Sequence, residues 1–422
     1  MTDLASADIL GLGTSGEMRR AFMDELARVP DWWVSASGCR VTLGNSAYME
    51  QLEHEMAAFH GSEMALVAVN GGMANGAIFT AIPRPGDALV YDESIHASVH
   101  DGMQTSLARC KKPFRHNDPD SLHEVLVDIR DAQLQIRSGQ RCVLIAVEGI
   151  YSMDGDTCPL RELVEVASEV FPDGNCQFII DEAHSHGVIG PKGAGLVSAL
   201  GLEKEIAIRM HTLPKAMAAG GAVILCNETV RSMLINFGRN IMFSGAPGFP
   251  LLAAMKVGYE FLKSARTEQA RARIGHIGRL FRNKMTSHPV WEQAQDARLL
   301  RVPLWDGDEE PPFWTPVLPL LTRPNTKHNL FLAFHLQMHG FIAYPVYFPV
   351  VPKSAERVRL IFHSFNTDTE IETLVAVIGA WAEEMLEIDQ EKGALGGIRL
   401  PVAARQAYNM MAATQITNGH LA

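Results

Sequence analysis

Short apolar runs alternate with amphipathic stretches along the first two thirds of the chain. Five of the runs predict buried strands: MALVAV (64–69), DALVYD (87–92), CVLIAVEG (142–149), CQFIIDEA (176–183) and GGAVILC (220–226). Between them, apolar residues recur at helical spacing, as in residues 120–137 and 158–171. Nearly continuous apolar strands separated by helices predict a parallel sheet covered on both faces, so the predicted fold class is α/β.

A smaller second domain is predicted toward the C-terminus. Residues 251–285 have the pattern of one long helix or two, and we place the domain boundary near 270–290. Beyond this boundary, strand-like and helix-like segments alternate and indicate an α+β domain: 313–322, 325–340, 357–364 and 368–388. The acidic, proline-broken segment 306–312 is expected to be a surface loop.

The expected organisation has four parts. These are an N-terminal arm over residues 1–45, a large domain over 46–280, a small C-terminal domain over 281–390 and a tail over 391–422. The tail contains no sustained apolar period, and chain ends that are not held by packing are commonly poorly ordered. We therefore expect the tail to be mobile.

Composition and charge exclude several classes of protein. Of the 422 residues, 47% are hydrophobic and 20% are charged, which is typical of a globular chain with a sizeable core. The net charge of −11 argues against nucleic-acid binding, because such proteins need a basic face to displace counterions. No apolar run approaches the ~18 residues that a membrane span requires, so no membrane span is predicted.

The N-terminal sequence and the cysteines bear on the cellular compartment. The segment MTDLASADILGLG has no basic stretch ahead of its apolar residues, so a secretory signal is not expected. The six cysteines are scattered and include no CxxC pair, a pattern typical of reduced thiols. We therefore expect a cytoplasmic protein.

The tetrapeptide Asp181-Glu182-Ala183-His184 allows more than one interpretation. A helicase would also need an upstream phosphate-binding loop of the form GxxxxGK followed by Ser or Thr, and the chain has none. His184 and His186, at two-residue spacing, are compatible with metal ligation. Their position just after a buried strand favours a different ligand site, at the carboxyl end of a parallel sheet, and we predict no metal site.

A lysine in apolar surroundings is the most informative residue of the chain. Lys215 lies in MHTLPKAMAAGGAVIL, on a turn between two strand-like segments, and Leu213, Ala216 and Met217 flank it. A lysine removed from water has a lowered pKa and can form an imine with an aldehyde. The alternative is a lysine whose ammonium extends from a loop into solvent.

Other residues complete a site for one type of ligand. Asp181 follows the apolar residues QFII at the end of a predicted strand, and His96 follows another strand, where its ring can stack on a flat ligand. Residues 70–73, Asn-Gly-Gly-Met, fall between a strand and a helix, where backbone N–H groups can bind phosphate. An aldehyde-bearing pyridine with a phosphate needs a lysine, a carboxylate and amide donors together. These residues therefore predict pyridoxal 5'-phosphate as the cofactor.

Five segments of the chain resemble those of a known enzyme family in their order and spacing. They are NGGMAN, ESIHAS, EGIYSMDGD, DEAHSHGVIGPKGAGL and HTLPKAMAAGGA. The family is that of the α-oxoamine synthases, which includes 8-amino-7-oxononanoate synthase, serine palmitoyltransferase and aminolevulinate synthase. The resemblance extends over nearly the whole chain. It implies a fold type I pyridoxal-phosphate-dependent transferase, with a large, mostly parallel-sheet domain and a smaller C-terminal α+β domain.

The resemblance implies a role for each residue around the cofactor ring. Lys215 would form the Schiff base with the cofactor, and Asp181 would pair with the pyridinium nitrogen. His184 would hydrogen-bond the ring hydroxylate, with Ser152 nearby, and His96 would stack on the ring face. Lys215, His96, Asp181 and His184 are therefore the expected catalytic residues.

The same resemblance implies residues for the phosphate and the substrate. The phosphate-binding residues would be Gly71, Gly72, Met73 and Thr212. Glu148 would line the cofactor site, and Ser244 would reach the phosphate of the partner subunit in a homodimer. Arg359 would bind the carboxylate of the amino acid, because a guanidinium matches a carboxylate with two hydrogen bonds. Arg357, two residues earlier, is expected to point to the opposite face of the strand.

The implied reaction is a decarboxylative Claisen condensation of a small amino acid with an acyl thioester of coenzyme A or of a carrier protein. It yields an α-amino ketone, carbon dioxide and a free thiol. Met49 and Tyr347 stand where many members have histidine and arginine, which favours a specialised biosynthetic pathway. The alternatives are an aldol-type lyase or aminotransferase that uses no thioester, and an inactive regulatory paralogue, which would usually lack the lysine.

Overall fold

The structure is a computed structural model that describes residues 1–306, 310–324, 326–395 and 399–418. Within the expected loop and tail, three segments lie outside the described residues: 307–309, 396–398 and 419–422. The chain forms two compact units. The large unit contains Leu10–Tyr151 and Asp156–Arg271, and the small unit contains Met1–Ile9, Ser152–Gly155 and the chain from Ala272 onward. A linear division of the sequence does not anticipate that two short early segments belong to the small unit.

The strands include the five predicted runs and others that the apolar pattern does not predict. In chain order they are β1 (Thr2–Asp3), β2 (Met64–Ala68), β3 (Ala88–Asp92), β4 (Cys110–Phe114), β5 (Val143–Glu148), β6 (Cys176–Asp181), β7 (Ile206–Thr212), β8 (Ala222–Cys226), β9 (Val317–Leu321), β10 (Phe341–Ile342), β11 (Tyr344–Val346) and β12 (Arg357–Ile361). Polar residues interrupt the apolar runs of β4, which contains Lys111 and Lys112, and of β7, which contains Arg209 and His211.

Helices connect the strands and cover the sheets. In chain order they are α1 (Glu17–Arg28), α2 (Ala47–Phe59), α3 (Gly71–Ala81), α4 (Ala97–Gln104), α5 (Pro119–Ala132), α6 (Leu134–Arg137), α7 (Leu160–Val170), α8 (Leu196–Leu200), α9 (Glu228–Phe237), α10 (Arg239–Met242), α11 (Phe249–Leu262), α12 (Ala265–Thr286), α13 (Trp291–Asp296), α14 (His328–Met338), α15 (Asp368–Leu395) and α16 (Val402–Asn418). The predicted segment 251–285 thus contains two helices, α11 and α12. Among the described residues, no helix has both the length and the apolar character needed to cross a membrane.

The large unit is built on a seven-stranded sheet with the order β2-β8-β7-β6-β5-β3-β4. Neighbouring strands from β4 to β7 pair in parallel, whereas β8 is antiparallel to both β2 and β7. Helix α3 packs on this sheet through Ala74, Ala77 and Ile78, which are fully buried. The predicted α/β fold with a mostly parallel sheet is therefore confirmed. Because parallel strands end at the same edge, the loops after β5, β6 and β7 converge there.

The small unit has its own sheet and its own hydrophobic core. Its three-stranded sheet has the order β11-β12-β9 and is antiparallel, and β1 pairs in parallel with β10. The core contains the fully buried rings of Phe281, Phe362 and Trp381. An antiparallel sheet with helices is the α+β arrangement that the sequence pattern predicts for this part of the chain.

Part of the segment expected to be a mobile tail is helical. Helix α16 buries Ala403, Ala404 and Ala407. Tyr408 makes an edge contact with Phe334 of α14, with the ring centroids 6.1 Å apart. The apolar period of this helix is weak in the sequence because its buried positions are alanines, which carry little hydrophobic signal.

Candidate active site

The candidate site lies at the carboxyl edge of the large unit's sheet, where three neighbouring strands end. The strand register places Glu148 of β5 beside Asp181 of β6, and Asp181 beside Met210 of β7. β7 ends at Thr212, three residues before Lys215. Open α/β sheets bind ligands at this edge, because the loops that leave the strands can carry polar side chains outside the core.

Lys215 and His184 are brought into contact by the loops that follow β7 and β6. The Nζ of Lys215 lies 2.8 Å from Nε2 of His184. His184 is buried and Lys215 is half-buried. The turn that carries the lysine is tight, since the N–H of Ala218 donates to the Lys215 carbonyl at 3.1 Å and Ala218 has a left-handed φ of 50°. The lysine is therefore held at the site and does not extend into solvent.

Asp181 is the buried carboxylate of this site. Its Oδ2 accepts a hydrogen bond from Nδ2 of Asn75 at 2.8 Å, and its Oδ1 accepts one from the backbone N–H of Ala183 at 2.9 Å. The two donors fix the orientation of the carboxylate. A buried carboxylate held in this way favours a positive charge on a ring nitrogen placed against it.

Asn75 is a site residue that was not predicted from the sequence. It is buried in helix α3, and its Nδ2 also donates to Oγ of Ser98 at 3.0 Å. The Ser98 Oγ lies 2.8 Å from Nδ1 of His96, so a continuous series of hydrogen bonds connects His96 with Asp181. The sequence does contain a signal for the role of Asn75, because asparagine is unfavourable inside a helix unless its side chain has a partner.

His96 and Ser244 lie at the surface of the large unit. The exposed ring of His96 precedes helix α4, and its Nδ1 accepts a hydrogen bond from the N–H of Ser98 at 3.2 Å. Ser244 follows helix α10, and its hydroxyl donates to the carbonyl of Asn240. The ring of His96 is thus exposed, while the hydroxyl of Ser244 is directed at its own chain.

Glu148 is a second buried carboxyl group, beside Asp181 on the neighbouring strand. Burial, together with the negative charge of Asp181, raises the pKa of Glu148 well above its ordinary value. The positive charge of Lys215 acts in the opposite direction without reversing the shift. Glu148 is therefore a buried carboxyl group whose surroundings disfavour its negative charge.

The N-terminus of helix α3 provides amides at the same edge of the sheet. The side chain of Asn70 caps the helix by accepting a hydrogen bond from the N–H of Met73 at 2.8 Å. Gly71 and Gly72 carry the first amides of the helix, which have no acceptor within it. A Cβ on Gly71 would lie 3.2 Å from the side chain of Thr212, so the glycine permits a close approach of helix and strand end.

A cavity of about 540 Å³ opens beside this helix end. Its lining includes Gly72, Met73, Ser98, Asp101, Arg239 and Asn240. The helix amides, a nearby hydroxyl and the positive end of the helix dipole together form an arrangement suited to a phosphate group.

Ser152 and Arg359 belong to the small unit. Arg359 lies in β12, and its Nη1 donates to the carbonyl of Ser152 at 3.0 Å. Burial lowers the pKa of the Arg359 guanidinium. Arg357 of the same strand donates from its Nη1 to the carbonyl of Met153 at 2.9 Å and pairs with Asp154. The expectation that Arg357 points to the opposite face is wrong, because residues two apart on a strand share a face.

The residues of the large unit fit pyridoxal phosphate. A half-buried amine, a buried carboxylate and an end of a helix with glycines all converge on one edge of the sheet. Because Gly71 has no side chain, a space remains beside Thr212 that a Cβ at this position would partly fill. Lys215 would hold the aldehyde carbon, Asp181 the ring nitrogen, and Gly71, Gly72 and Thr212 the phosphate.

The chain is similar to known proteins over most of its length. A family model described as aminotransferase class I and II matches residues 1–378. An aminoacyl transferase sphA from Byssochlamys spectabilis is 44% identical over 413 residues, which are 97% of this chain and 86% of that protein. An 8-amino-7-oxononanoate synthase from Emericella nidulans is 38% identical over 384 residues, 91% of this chain and 90% of that protein. A solved serine palmitoyltransferase from S. paucimobilis has a TM-score of 0.77 at 22% identity, with 92% of this chain and 88% of that chain covered.

The chain therefore belongs to the aminotransferase class I and II family, with pyridoxal phosphate as its cofactor. Within that family it is an α-oxoamine synthase, a pyridoxal-phosphate-dependent acyltransferase, and the resemblance of its motifs to this group is confirmed. The likeness to the serine palmitoyltransferase structure confirms the type I fold.

Proposed function

We propose that this chain joins a small amino acid to an acyl thioester in a decarboxylative Claisen condensation. The products are an α-amino ketone, carbon dioxide and a free thiol. The observation that carries the proposal is the 2.8 Å contact between Lys215 and His184 at the sheet edge that also holds the buried carboxylate of Asp181. Identities of 44% with an aminoacyl transferase and 38% with an 8-amino-7-oxononanoate synthase support an acyl transfer.

The proposed roles around the cofactor follow from these contacts. Pyridoxal phosphate supplies the electron sink when it is bound. Lys215 would hold it through Nζ, and once the amino group of the substrate has displaced Nζ from the aldehyde carbon, the freed amine would take the proton from the α-carbon of the amino acid. His184 orients this Nζ and bonds the ring hydroxyl, while His96 covers the ring face. Asp181 keeps a proton on the ring nitrogen by its negative charge, and Asn75 orients Asp181.

The proposed phosphate site uses the end of helix α3. Gly71 and Gly72 donate their amides, and Thr212 donates its hydroxyl, because these groups meet where helix and strand end approach each other. Met73 lines this site, and its own N–H is bonded to Asn70. Ser244 is proposed to reach the phosphate of a partner subunit.

A homodimer is proposed because exposed apolar residues lie around Ser244. The exposed side chains of this surface are Trp33, Val34, Leu43 and Phe243. The segment that carries the first three is joined to the chain after Ser244 by a hydrogen bond of 2.8 Å from the N–H of Ala246 to the carbonyl of Gly38. Clustered exposed apolar surface is typical of a protein interface. We further propose that the dimer is cytoplasmic.

The substrate residues are proposed from the family resemblance and from the chemistry of each group. Arg359 binds the carboxylate of the amino acid through its planar guanidinium, which can form two parallel hydrogen bonds. Ser152 lies close to this arginine, with its carbonyl accepting from Nη1. Glu148 lines the site as a buried carboxyl group beside Asp181. Met49 and Tyr347 remain the reason for proposing a specialised pathway.

The test is a screen of purified protein with pyridoxal phosphate, small amino acids and thioesters of coenzyme A and of a carrier protein. We expect release of carbon dioxide and free thiol in equal amounts, each only when both substrates are present. Lys215→Ala, which removes the amine, is expected to release neither. Consumption of an amino acid without any thioester, with no thiol released when one is added, would favour the lyase or aminotransferase alternative.

A further inference from the structure

Three buried histidines that have no part in the proposed reaction lie together in the large unit. His60 follows helix α2, His186 lies in the turn after β6, and His211 lies in β7, with exposed fractions of 2%, 1% and 0%. The ring centroids of His211 lie 4.4 Å from those of both His60 and His186, which are 5.3 Å from each other. One nitrogen of each ring lies within 4.8 Å of one nitrogen of each other ring.

The protein uses only some of the ring nitrogens in this cluster. Nε2 of His60 lies 2.9 Å from the hydroxyl of Tyr259, and Nε2 of His211 lies 2.9 Å from Oε2 of Glu182. Nδ1 of His211 and both nitrogens of His186 find no hydrogen-bond partner among the described residues. Buried polar atoms without a partner are rare in folded proteins, and a bound ion is one of the few explanations for them.

The chemistry of the cluster suits a divalent metal ion. Imidazole binds a metal through a ring nitrogen in its neutral form, and three buried imidazoles meet in this cluster. Zn²⁺ takes histidine nitrogens at about 2.0–2.1 Å in a tetrahedral arrangement, which separates the ligand atoms by roughly 3.3 Å. The ligand atoms, which lie within 4.8 Å of one another, therefore need to approach by up to about 1.5 Å, which side-chain rotations can supply.

The surroundings of the cluster resemble those of metal-binding histidines. A metal-bound histidine commonly directs its other ring nitrogen at a carboxylate or another hydrogen-bonding group, which fixes the orientation of the ring. Glu182 takes this place beside His211, and Tyr259 takes it beside His60. Glu182 is itself held by Oγ of Ser185 at 2.9 Å, so the carboxylate is rigid. Its negative charge also offsets part of the charge of a bound cation.

A cavity of about 590 Å³ lies beside the end of helix α2, and His60 lines it. The charged residues of this cavity are Glu55, Glu203, Lys192 and Lys263. Arg209 directs its Nη1 at the carbonyl of His60, 3.0 Å away.

We propose that His60, His186 and His211 bind one Zn²⁺ ion, with Glu182 and Tyr259 orienting two of the rings and a water molecule as the fourth ligand. The ion connects the end of α2 with β7, which leads to Thr212 and Lys215, and with the turn that carries His184. It stabilises the elements behind the cofactor site and takes no part in the reaction. The proposal is independent of the substrates and of the reaction proposed above.

The first test uses the untagged wild-type protein loaded with pyridoxal phosphate. After removal of metal with a chelator, we expect calorimetric titration with Zn²⁺ to show one ion bound per chain. At a hundredfold excess over its dissociation constant, Zn²⁺ is expected to raise the unfolding midpoint by about 3–5 °C. Lys215→Ala should bind Zn²⁺ equally, because the ion does not use the cofactor site.

The second test exchanges one ligand. His186→Ala is expected to lose the stoichiometric binding and the rise in midpoint. His186→Cys is expected to bind Co²⁺ as a thiolate and to show a sulfur-to-cobalt charge-transfer band. The matched control is His335, a buried histidine of helix α14 in the small unit, since His335→Ala should bind Zn²⁺ like the wild type and His335→Cys should show no such band.

Two results would overturn the proposal. The first is a wild-type protein that binds neither Zn²⁺ nor Co²⁺ stoichiometrically and whose unfolding midpoint neither ion shifts. The three rings would then be an aromatic cluster with no bound ion. The second is undiminished Zn²⁺ binding by a folded His186→Ala protein, which would place the ion elsewhere. The wild-type measurement decides the matter even if the variants fail to fold.

Discussion

Two carboxyl groups on adjacent strands differ in their surroundings, and at the scale of single residues this difference separates their roles. Asp181 accepts hydrogen bonds from Asn75 and from the N–H of Ala183, both of which stabilise a carboxylate. Glu148 is fully buried beside Asp181, and burial with the charge of Asp181 raises its pKa. Neighbouring carboxyl groups in different environments are a common arrangement in active sites, because each group can then serve a different role.

The carboxylate of Asp181 can be tested with its positioning residue. Asp181→Asn is expected to retain the visible absorbance of bound cofactor and to lower kcat by at least about a hundredfold, because a neutral amide does not hold a proton on the ring nitrogen. Asn75→Ala removes one charge-assisted hydrogen bond of roughly 1.5–3 kcal/mol and should lower kcat by roughly tenfold to a hundredfold. Turnover near that of the wild type in Asp181→Asn would show that Asp181 is not the partner of the ring.

Arg359 can be tested through substrate binding alone. Arg359→Ala is expected to weaken amino-acid binding by roughly thirtyfold to a thousandfold, or about 2–4 kcal/mol, because a bidentate contact with the carboxylate is lost. Arg359→Lys should restore only part of it, since an ammonium is a point charge. The binding is followed by titration of the cofactor absorbance with amino acid.

The control for Arg359 is another half-buried arginine of the small unit. Arg323 pairs with Asp389 and donates to the carbonyl of Ala297, so Arg323→Ala removes a guanidinium of comparable exposure. Its amino-acid binding should equal that of the wild type. Arg357 is not a suitable control, because it shares a face with Arg359 and holds the neighbouring segment through Met153 and Asp154. Equal losses in Arg323→Ala and Arg359→Ala would contradict the assignment.

At the scale of elements, the approach of helix α3 to β7 depends on one glycine. A Cβ on Gly71 would meet the side chain of Thr212 at 3.2 Å, whereas a Cβ on Gly72 would lie 3.5 Å from Oδ1 of Asn70, an ordinary contact. Both substitutions keep the backbone amide. A difference between the two variants would therefore come from the lack of space at Gly71 and not from a lost hydrogen bond of the backbone.

Gly71→Ala is expected to weaken pyridoxal phosphate binding by roughly tenfold or more, because overpacking typically costs about 1–3 kcal/mol and here displaces Thr212. Gly72→Ala should bind within about threefold of the wild type, since it adds a methyl group where space exists. Equilibrium titration of the cofactor-free proteins measures both values. A larger loss in Gly72→Ala than in Gly71→Ala would mean that the helix end is not placed as described.

A second element-scale feature is a histidine held between two carboxylates. Nδ1 of His116 lies 2.9 Å from Asp92, at the end of β3, and Nε2 lies 2.9 Å from Asp156, in the loop after β5. Burial disfavours the charged ring, but the hydrogen bonds and charges of Asp156 and Asp92 outweigh it and raise the pKa of His116 to about 10. The charged ring thus connects three loops of the large unit.

This raised pKa predicts how stability depends on pH. The folded value exceeds the unfolded value of about 6.5, so the stabilisation is complete below about pH 6.5 and is lost as the pH rises toward about 10. Its size is on the order of 5 kcal/mol. Urea unfolding of the wild type and His116→Gln should therefore give a difference in unfolding free energy that is largest near pH 6 and shrinks toward pH 10. His123→Gln, on helix α5, is the control, and a His116→Gln difference that does not vary with pH would refute the prediction.

At the scale of the whole molecule, the proposed homodimer places Ser244 in the active site of its partner. Subunits with Lys215→Ala are inactive, and subunits with Ser244→Glu carry a negative charge that repels a phosphate. If Ser244 serves the partner, a mixed dimer contains one site with both native residues. We expect mixtures of the two inactive proteins, unfolded and refolded together, to regain up to about a quarter of the wild-type activity. Light scattering that shows a monomer, or no regain in a confirmed mixed dimer, would exclude this arrangement.

The sequence by itself determined the class of fold and the strand ends that carry the chemistry. The apolar runs of β2, β3, β5, β6 and β8 are local signals, as are the positions of Asp181 at the end of β6 and of Lys215 three residues after β7. In a parallel sheet such positions meet at one edge whatever the order of the strands. Strand β7 gave a weaker signal, because its buried Arg209 and His211 satisfy their polar groups only through residues from other elements.

Only the tertiary structure decided which distant residues meet. Asn75 and Asp181 are 106 positions apart, and their hydrogen bond depends on how helix α3 crosses the sheet. The sequence offered His184 and His186 as a metal pair because they are neighbours in the chain, whereas the fold turns His184 toward Lys215 and His186 toward His60 and His211. Side chains on one loop point in different directions, and the partners of each are set by strand order and packing. No local sequence pattern encodes the strand order or the packing, so these contacts form only when the chain is folded.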